Sequence, residues 1–354
     1  MIRFIARHSL DASYYVADRS LELDGVRPGS PGYWIRGSGP IDSSVLERSW
    51  QSPQRAKIVG YDLIVAAPRT VSALLALGEI EEQRQLVTDH RESVRSAIDY
   101  IEARGLVVNT TMAGESIEQR GRWSSIVAFT HGVNRIGEPH LHDHVLVGAL
   151  PHYRSRVLNR QALSAHLLAA DAIYRAELRF RINRHGVRGA WRTFRGIDLV
   201  QGVDEGHRAL WPGDRTWGAQ KASWTRPGIV DKWRSDLLRF EKIQMREPPV
   251  RTASINEQVF GAHFEGSISV SRRDLIAATA NAASSGILRS SVESFVDFHY
   301  PDLAADRGLT EKRIGITHAR QSALVRERGP RPLEIEDAIR WRQRDRPRSF
   351  DRAR

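Results

Sequence analysis

The chain has 354 residues, of which 41% are hydrophobic, and this is enough for two domains or for one large domain with an extension. The apolar share excludes an intrinsically disordered protein. The formal net charge is +11. Most of this charge comes from arginine, whose planar side chain binds phosphates and stacks on bases, so we expect a polyanionic partner, most simply nucleic acid. An arginine-rich proteome would produce the same charge balance without such a partner.

The chain has no cysteine. This excludes disulfides, thiolate metal sites and cysteine nucleophiles, and it favours a cytoplasmic location. The N-terminal apolar run ends by His8 and is too short for a signal peptide, and no segment approaches the roughly 20 apolar residues of a membrane span. The absence of a Gly-x-x-x-x-Gly-Lys-Ser/Thr motif excludes a P-loop ATPase or helicase.

The first third of the chain alternates between strand and helix patterns. We predict a strand at 2–5, a helix at 9–16, a loop over 25–40, a strand at 58–67, a helix from about 70 and a helix at 88–104. In the last of these, apolar residues recur at i, i+3, i+4 and i+7, and Gly105 ends the helix.

The same alternation continues through the rest of the chain. We predict strands at 106–111, 123–131 and 140–150, a long helix at 161–183, and helices at 271–285 and 292–298. The arginine-rich segment beyond 328 is expected to be a solvated, mobile arm that serves either DNA contact or solubility. Hairpin-type strands interleaved with helices indicate an α+β fold, with a central antiparallel sheet flanked by helices.

Three histidines mark two of the central strands. His131 ends one strand, and His142 and His144 open the next, where the alternation of side chains places both on one face. The glycine-, asparagine- and proline-bearing connection allows the strands to pair as a hairpin. Three imidazoles would then converge on one metal ion and leave coordination positions open to substrate. His140 shares this face and would lie beside the site or in solvent; alternatively, all these histidines are incidental.

The predicted metal site favours phosphoryl chemistry. Three neutral imidazoles leave the ion its full charge, which makes it a strong Lewis acid toward a phosphodiester oxygen. No Ser/His/Asp arrangement is recognisable, so the adjacent Tyr14 and Tyr15 are the candidate nucleophiles. The alternative is that they are half-buried apolar filler, as most tyrosines are.

Four segments in this order resemble a known family. They are Tyr14 with Tyr15, the segment 60–72, His131 with the segment 139–144, and the segment 170–178. Together they resemble the conjugative relaxases of the TrwC/TraI (MobF) type, which are His-hydrophobe-His (HUH) nucleases that nick one DNA strand at a plasmid transfer origin.

The resemblance covers roughly residues 1–250 and implies a palm-like HUH relaxase fold with a helical C-terminal extension. We therefore expect a relaxase domain over 1–250, a small helical extension over 251–310 and an arginine-rich, partly mobile tail over 311–354.

The resemblance also implies a role for each matching residue. Tyr14 would form a 5′-phosphotyrosine and free a 3′-hydroxyl, and Tyr15 would assist or substitute. Asp62 would orient a ligand histidine or accept the tyrosine proton; alternatively, it is a solvated acid at a strand edge. The implied metal ligands are His131, His142 and His144. The implied DNA contacts are Arg69, Arg154 and Arg226.

The implied cofactor is a divalent ion, Mg²⁺ or Mn²⁺, although imidazole ligands also suit Zn²⁺ or Ni²⁺. The implied partners are single-stranded or hairpin origin DNA, accessory relaxosome proteins, a coupling ATPase and a separate helicase. The protein would act in the cytoplasm and could pass with the DNA into a recipient cell.

The sequence departs from the family pattern in two places. Family members often carry a second tyrosine pair, whereas residues 20–24 contain no tyrosine. The second strand transfer would then need Tyr15, a second subunit or another route. Many members also continue into a C-terminal helicase, which this sequence lacks.

Three alternative functions stay open at this point. A rolling-circle replication initiator has the same fold and chemistry but uses its nick to prime replication. A catalytically silent protein would bind the origin without cutting it. A cupin-like metal enzyme is disfavoured, because the residues after His144 supply no glutamate ligand.

Overall fold

The structure, a computed structural model, describes residues 2–9, 14–15, 32–39, 41, 58–112, 115–123, 125–134, 137–148, 156–184, 191–194, 197–200, 233, 260, 264, 269–304 and 313–315. A five-stranded antiparallel sheet with the strand order β1-β3-β7-β6-β2 lies at the centre of this part of the chain. Its strands are β1 (Ile2–Arg7), β2 (Gly32–Arg36), β3 (Gly60–Ala66), β6 (Ile126–Val133) and β7 (Pro139–Gly148). The predicted α+β fold with a central antiparallel sheet is confirmed.

Helices and smaller sheets surround this centre. The helices are α1 (Arg69–Leu77), α2 (Ile80–Tyr100), which continues as a π-helical turn over Ile101–Gly105, α3 (Arg160–Arg184), α4 (Arg272–Ala282), α5 (Arg289–His299) and α6 (Pro301–Ala304). The other strands are β4 (Val107–Met112), β5 (Glu115–Arg120), β8 (Arg156–Leu158), β9 (Trp191–Phe194), β10 (Ile197–Val200), β11 (Ser269–Ser271) and β12 (Arg313–Gly315). None of the helices within these residues is long and apolar enough to cross a membrane.

The two faces of the central sheet have different environments. On one face, Ala128, Val145 and Val147 are fully buried in the main core, which they share with Ile98 of α2 and Ile173 of α3. The opposite face carries a smaller apolar cluster of Tyr15, Val127, Phe129 and Leu146. Because side chains alternate along a strand, His131, His142 and His144 fall on this second face. The sheet therefore presents its histidines on the side away from α2 and α3.

Helix α2 begins eight residues earlier than the predicted 88. Its start is fixed by a capping box, in which the side chain of Glu79 accepts from the N3 backbone and Glu82 accepts from the backbone N–H of Glu79. Leu86 and Val87 are buried and extend the apolar stripe into this first part. The predicted end is confirmed, because the helical run stops at Gly105.

The loop predicted over 25–40 is wrong at the apolar residues Tyr33, Trp34 and Ile35, which lie in a strand. Gly32–Arg36 forms β2, an edge strand that pairs with β6 and brings Tyr33 opposite Ala128. Sequence analysis missed this strand because three apolar residues within a Gly- and Pro-rich segment predict a strand only weakly unless the partner strand is known. Strand β5 was also missed: its alternation over Glu115–Arg120 is mostly polar.

The C-terminal helices pack directly on α3. A guanidinium nitrogen of Arg179 donates to the carbonyl of Ala280 at 2.8 Å, and the backbone N–H of Ile287 donates to the carbonyl of Ala176 at 3.1 Å. Gly286 makes this approach possible: its φ is +82°, and an added Cβ would lie 2.1 Å from the backbone nitrogen of Phe180. Residues of α4 and α5 therefore belong to the same hydrophobic core as the central sheet.

Candidate metal and tyrosine site

The central hairpin brings the three predicted histidines together. His131 on β6 lies directly opposite His142 on β7, and His144 follows two residues later on the same face. Their ring centroids form a nearly equilateral triangle with sides of 5.2, 5.0 and 5.1 Å. One ligand nitrogen from each ring lies within 4.8 Å of the other two, and all three side chains are buried. The convergence expected from the spacing is present.

The chemistry of this donor set fits a divalent ion. Imidazole nitrogens bind such an ion at about 2.0–2.1 Å, and three nitrogens within 4.8 Å of one another can surround a single ion. Burial, reinforced by the neighbouring His140, lowers the pKa of His142 well below its ordinary value. The ring is therefore neutral and able to act as a ligand near pH 7.

The ring nitrogens that face away from the triangle have protein partners. Nδ1 of His144 lies 3.0 and 3.1 Å from the two carboxylate oxygens of Asp62. Nδ1 of His142 lies 2.8 Å from the carbonyl oxygen of His140. These contacts leave Nε2 of His142 and of His144 for a metal, and metal-bound histidines commonly have such a partner on the other ring nitrogen. His131 differs, because its Nε2 lies 3.0 Å from the carbonyl oxygen of Tyr15 and would have to leave it to bind through that atom.

The two tyrosines lie beside the histidine triangle. The Tyr14 ring is centred 5.6 Å from the His144 ring and 6.3 Å from the His131 ring. The Tyr14 side chain is partly exposed, whereas Tyr15 is only 3% exposed and packs against Phe129. The Tyr15 hydroxyl donates to Asp62 at 3.3 Å. The two adjacent residues therefore have different surroundings: Tyr14 is partly accessible and Tyr15 is enclosed.

Asp62 lies at the centre of a charged network. It is fully buried on β3 and contacts His144, Tyr15 and the guanidinium of Arg7. Burial alone would raise the pKa of Asp62, but His144 and Arg7 together hold it below its ordinary value. Burial and the negative charge of Asp62 raise the pKa of the Tyr15 phenol. Asp62 is thus an ionised acceptor and not the solvated strand-edge acid that the sequence left open.

Arg7 is the site residue that sequence reasoning missed. It lies at the end of β1, opposite Gly60, and its guanidinium reaches the Asp62 carboxylate. Although burial opposes it, Asp62 raises the pKa of Arg7, and both tyrosines lie near enough to add to this effect. An arginine at the end of a short strand does not by itself indicate a functional role. The residue that its side chain contacts depends on the register between β1 and β3.

The remaining predicted residues are distributed differently. His140 lies outside the triangle and stacks on His142 at 4.6 Å between ring centroids, and burial lowers the pKa of His140 to about 4. Arg69 is exposed at the start of α1 and lowers the pKa of His140 through its charge. Arg154 and Arg226 lie outside the described residues.

Comparison with known sequences identifies the class of protein to which this fold and site belong. The family model of the TrwC relaxases matches residues 17–211, which is more than half of the chain. The chain belongs to the TrwC relaxase family. The resemblance found in the sequence is thereby confirmed.

A relative is the multifunctional conjugation protein TraI of Escherichia coli, which is 29% identical over 139 residues. The match covers 36% of this chain and 8% of TraI, so the chain corresponds to a small part of that protein.

Solved structures show the same fold. A conjugative relaxase TrwC in complex with oriT DNA, with copper bound, superposes with a TM-score of 0.55 at 18% identity. TrwC with a 27-mer DNA that comprises the recognition hairpin and the cleavage site superposes with a TM-score of 0.52 at 17% identity. Each superposition covers 70% of this chain and 100% of the other. At these identities the likeness concerns the fold alone.

Proposed function

We propose that this protein nicks one DNA strand at a transfer origin and remains attached to the 5′ end, and that it thereby initiates conjugative transfer or mobilisation. The observation that carries this proposal is the position of the Tyr14 ring, 5.6 Å from the ring of His144, beside three convergent imidazoles in a chain of the TrwC relaxase family. A nucleophile and a site for phosphate activation are thus adjacent.

A divalent ion would be held by His131, His142 and His144. When bound, this ion would neutralise charge on the scissile phosphate and leave open positions for its oxygens. The metal-bound relaxase structures of this fold support a metal cofactor without fixing its identity. We propose Mg²⁺ or Mn²⁺ in the cell, where availability decides over the intrinsic preference of imidazole.

The reaction is a transesterification. The Tyr14 oxygen attacks the phosphorus and loses its proton to water, the bond from phosphorus to the 3′ oxygen breaks, and that oxygen takes up a proton as the 3′-hydroxyl. Charge is conserved at the phosphodiester, because one ester oxygen replaces another.

The structure supports Tyr14 over Tyr15 as the first nucleophile. Tyr15 is buried, its hydroxyl already donates to Asp62, and its phenol has a raised pKa because of burial and the Asp62 charge. Forming a phenolate there would place two negative charges side by side. We propose that Tyr15 holds Asp62 in place during the first cleavage.

The role of Asp62 follows from its partners. A carboxylate that accepts from Arg7, His144 and Tyr15 and has a lowered pKa is a poor acceptor for a further proton. Of the two roles implied by the family, orientation of His144 is therefore favoured over proton removal from tyrosine.

The partners are proposed on the same basis. The DNA-complex structures of this fold and the positive net charge support single-stranded or hairpin origin DNA as the substrate. The DNA contacts at Arg69, Arg154 and Arg226, the accessory proteins, coupling ATPase and helicase, and the cytoplasmic location stay predictions. The division into 1–250, 251–310 and 311–354 is likewise a proposal.

The test uses single-stranded oligonucleotides that tile the non-coding DNA beside the protein's own gene, with Mn²⁺ present. We expect one of them to yield a denaturation-resistant protein–DNA adduct. Tyr14→Phe should abolish this adduct because the attacking oxygen is missing, whereas Tyr15→Phe should keep it. A catalytically silent DNA-binding protein would give no adduct with any oligonucleotide while still binding DNA, and that result would contradict the proposal.

A further inference from the structure

A second polar cluster lies directly behind the metal histidines. Asp143 stands between His142 and His144 on β7, so its side chain points to the opposite face of the sheet. There it is fully buried, and its cross-strand neighbour is Thr130, the residue before His131. The carboxylate therefore occupies the one position on β7 that is flanked by a proposed metal ligand on both sides.

Two elements contact this carboxylate, and a third contacts one of these partners. The Tyr33 hydroxyl of β2 donates to Oδ2 of Asp143. Nε2 of His90, from α2, lies 3.2 Å from Oδ1, an ion-pair distance without the alignment of a hydrogen bond. On its other side, Nδ1 of His90 lies 2.7 Å from the Tyr174 hydroxyl of α3. The His90 imidazole therefore lies between the Tyr174 hydroxyl and the Asp143 carboxylate.

The neighbouring contacts hold the same region of the sheet. Nε of Arg91 donates to the Thr130 hydroxyl at 2.8 Å, and its guanidinium carbon lies 4.9 Å from the centre of the Tyr33 ring. His90 and Tyr174 are completely buried. Polar contacts thus join the sheet to α2, and α2 to α3, behind the histidine triangle.

Packing does not explain this cluster. Burial of a carboxylate costs several kcal/mol unless partners compensate for the lost water. A hydrophobic side chain at this position would fill the core without that cost. The gain has to come from the directed contacts, which fix the Asp143 side chain relative to α2 and β2. Apolar packing is less directional and would allow β7 to shift or twist more easily.

We propose that Asp143, held by His90 and Tyr33, is a positioning residue of the metal centre. It fixes the strand segment that carries His142 and His144, so that both imidazoles keep the separation that one ion requires. The inference rests on the proposed metal binding by the three histidines, but it concerns residues outside the proposed ligand set.

The experiment titrates the full-length protein with Co²⁺ and follows the visible absorption bands of the bound ion, whose energy and intensity report ligand geometry. Asp143→Asn keeps the size and one acceptor oxygen but removes the charge. We expect Co²⁺ affinity to fall about tenfold, as for other groups that orient metal ligands, and the bands to change shape. Tyr33→Phe removes a single hydroxyl and should change both in the same direction by less.

A matched control separates positioning from stability. Glu177 of α3 is also a buried carboxylate, and its hydrogen-bond partners among the described residues, Ser96, Arg181 and Arg289, lie on helices and not on β7. Glu177→Gln should lower the melting temperature and leave Co²⁺ affinity and the bands unchanged.

The outcomes distinguish the two proposals. If the wild-type protein binds no Co²⁺, the proposed metal centre is wrong and this inference with it. If the wild type binds Co²⁺ and Asp143→Asn shows the same affinity and bands, the metal centre stands and the positioning role is wrong. If Asp143→Asn does not fold, the Tyr33→Phe titration decides in the same way.

Discussion

Nδ1 of His144 lies 3.0 and 3.1 Å from the two carboxylate oxygens of Asp62, so one buried acid holds the orientation of one proposed metal ligand. The same carboxylate accepts from Tyr15 and Arg7. Metal ligand, tyrosine pair and cation are thereby connected through a single side chain. The site responds as a unit when this side chain changes.

Asp62→Ala is therefore expected to weaken Mn²⁺ binding about 10- to 100-fold, because His144 loses the acceptor that orients its ring. Isothermal titration calorimetry measures this directly. Glu81→Gln is the control, since Glu81 is an exposed acid on α2 that pairs with Arg84. Equal Mn²⁺ affinity in wild type and Asp62→Ala would show that His144 needs no orientation by Asp62.

Arg7→Gln is expected to slow adduct formation about 10- to 100-fold, because a fixed positive charge beside the tyrosines and Asp62 is lost from the region where charge develops. Single-turnover kinetics with a cleaved oligonucleotide measure the rate. Arg84→Gln, which removes an arginine on the surface of α2, should leave the rate unchanged. An unaltered rate in Arg7→Gln would restrict Arg7 to a structural role.

The buried His166 gives the stability a defined pH dependence. Its Nδ1 lies 3.1 Å from the Tyr100 hydroxyl, and burial, together with Arg273, Arg120 and Arg104, lowers its pKa to about 4. In the unfolded chain a histidine has a pKa of about 6.5 and takes up its proton first, so acid favours unfolding.

Between pH 6.5 and 4, His166 should therefore cost the folded state up to about 3 kcal/mol as the pH falls. Denaturant unfolding at several pH values measures the free energy of unfolding. In His166→Gln this part of the slope should disappear, whereas the slopes from other groups persist. Parallel pH profiles for the two proteins would mean that His166 is protonated alike in the folded and unfolded states.

Gly286→Ala is expected to destabilise the protein by about 2–4 kcal/mol, because the new methyl group would overlap the backbone of Phe180 and force α4 away from α3. Gly39→Ala is a matched control, since Gly39 also has a positive φ of 97° but nothing within 4 Å of the added atom. That variant should lose only about 1 kcal/mol from backbone strain. Similar melting temperatures for the two variants would contradict the close packing at Gly286.

Local patterns predicted the centre of the site. The alternation around His142 and His144 and the turn residues before them predicted a hairpin that brings His131 near both. The pairing of His131 with His142, next to a register shift, is seen only in the folded sheet. The amphipathic stripe of α2 and the end of its helical run at Gly105 are equally local.

The parts that escaped prediction depend on contacts between distant segments. Arg7 reaches Asp62 because β1 pairs with β3 in one register, and Tyr33 reaches Asp143 across two strand pairings. Strand order and register are set by the whole sheet, so no window of sequence contains them. For Arg154 and Arg226, which lie outside the described residues, the predicted DNA contacts stay predictions.

The seating of Gly286 and Ile287 against α3 has a consequence for any shortened form of the protein. Ala172, Ile173 and Ala176 of that helix are fully shielded from water, and α4 and α5 belong to the apolar core that shields them. A fragment that ends near residue 250 would expose this apolar surface of α3. We expect such fragments to aggregate through it. Loss of α4 and α5 is therefore expected to reduce solubility before it affects the histidine and tyrosine site.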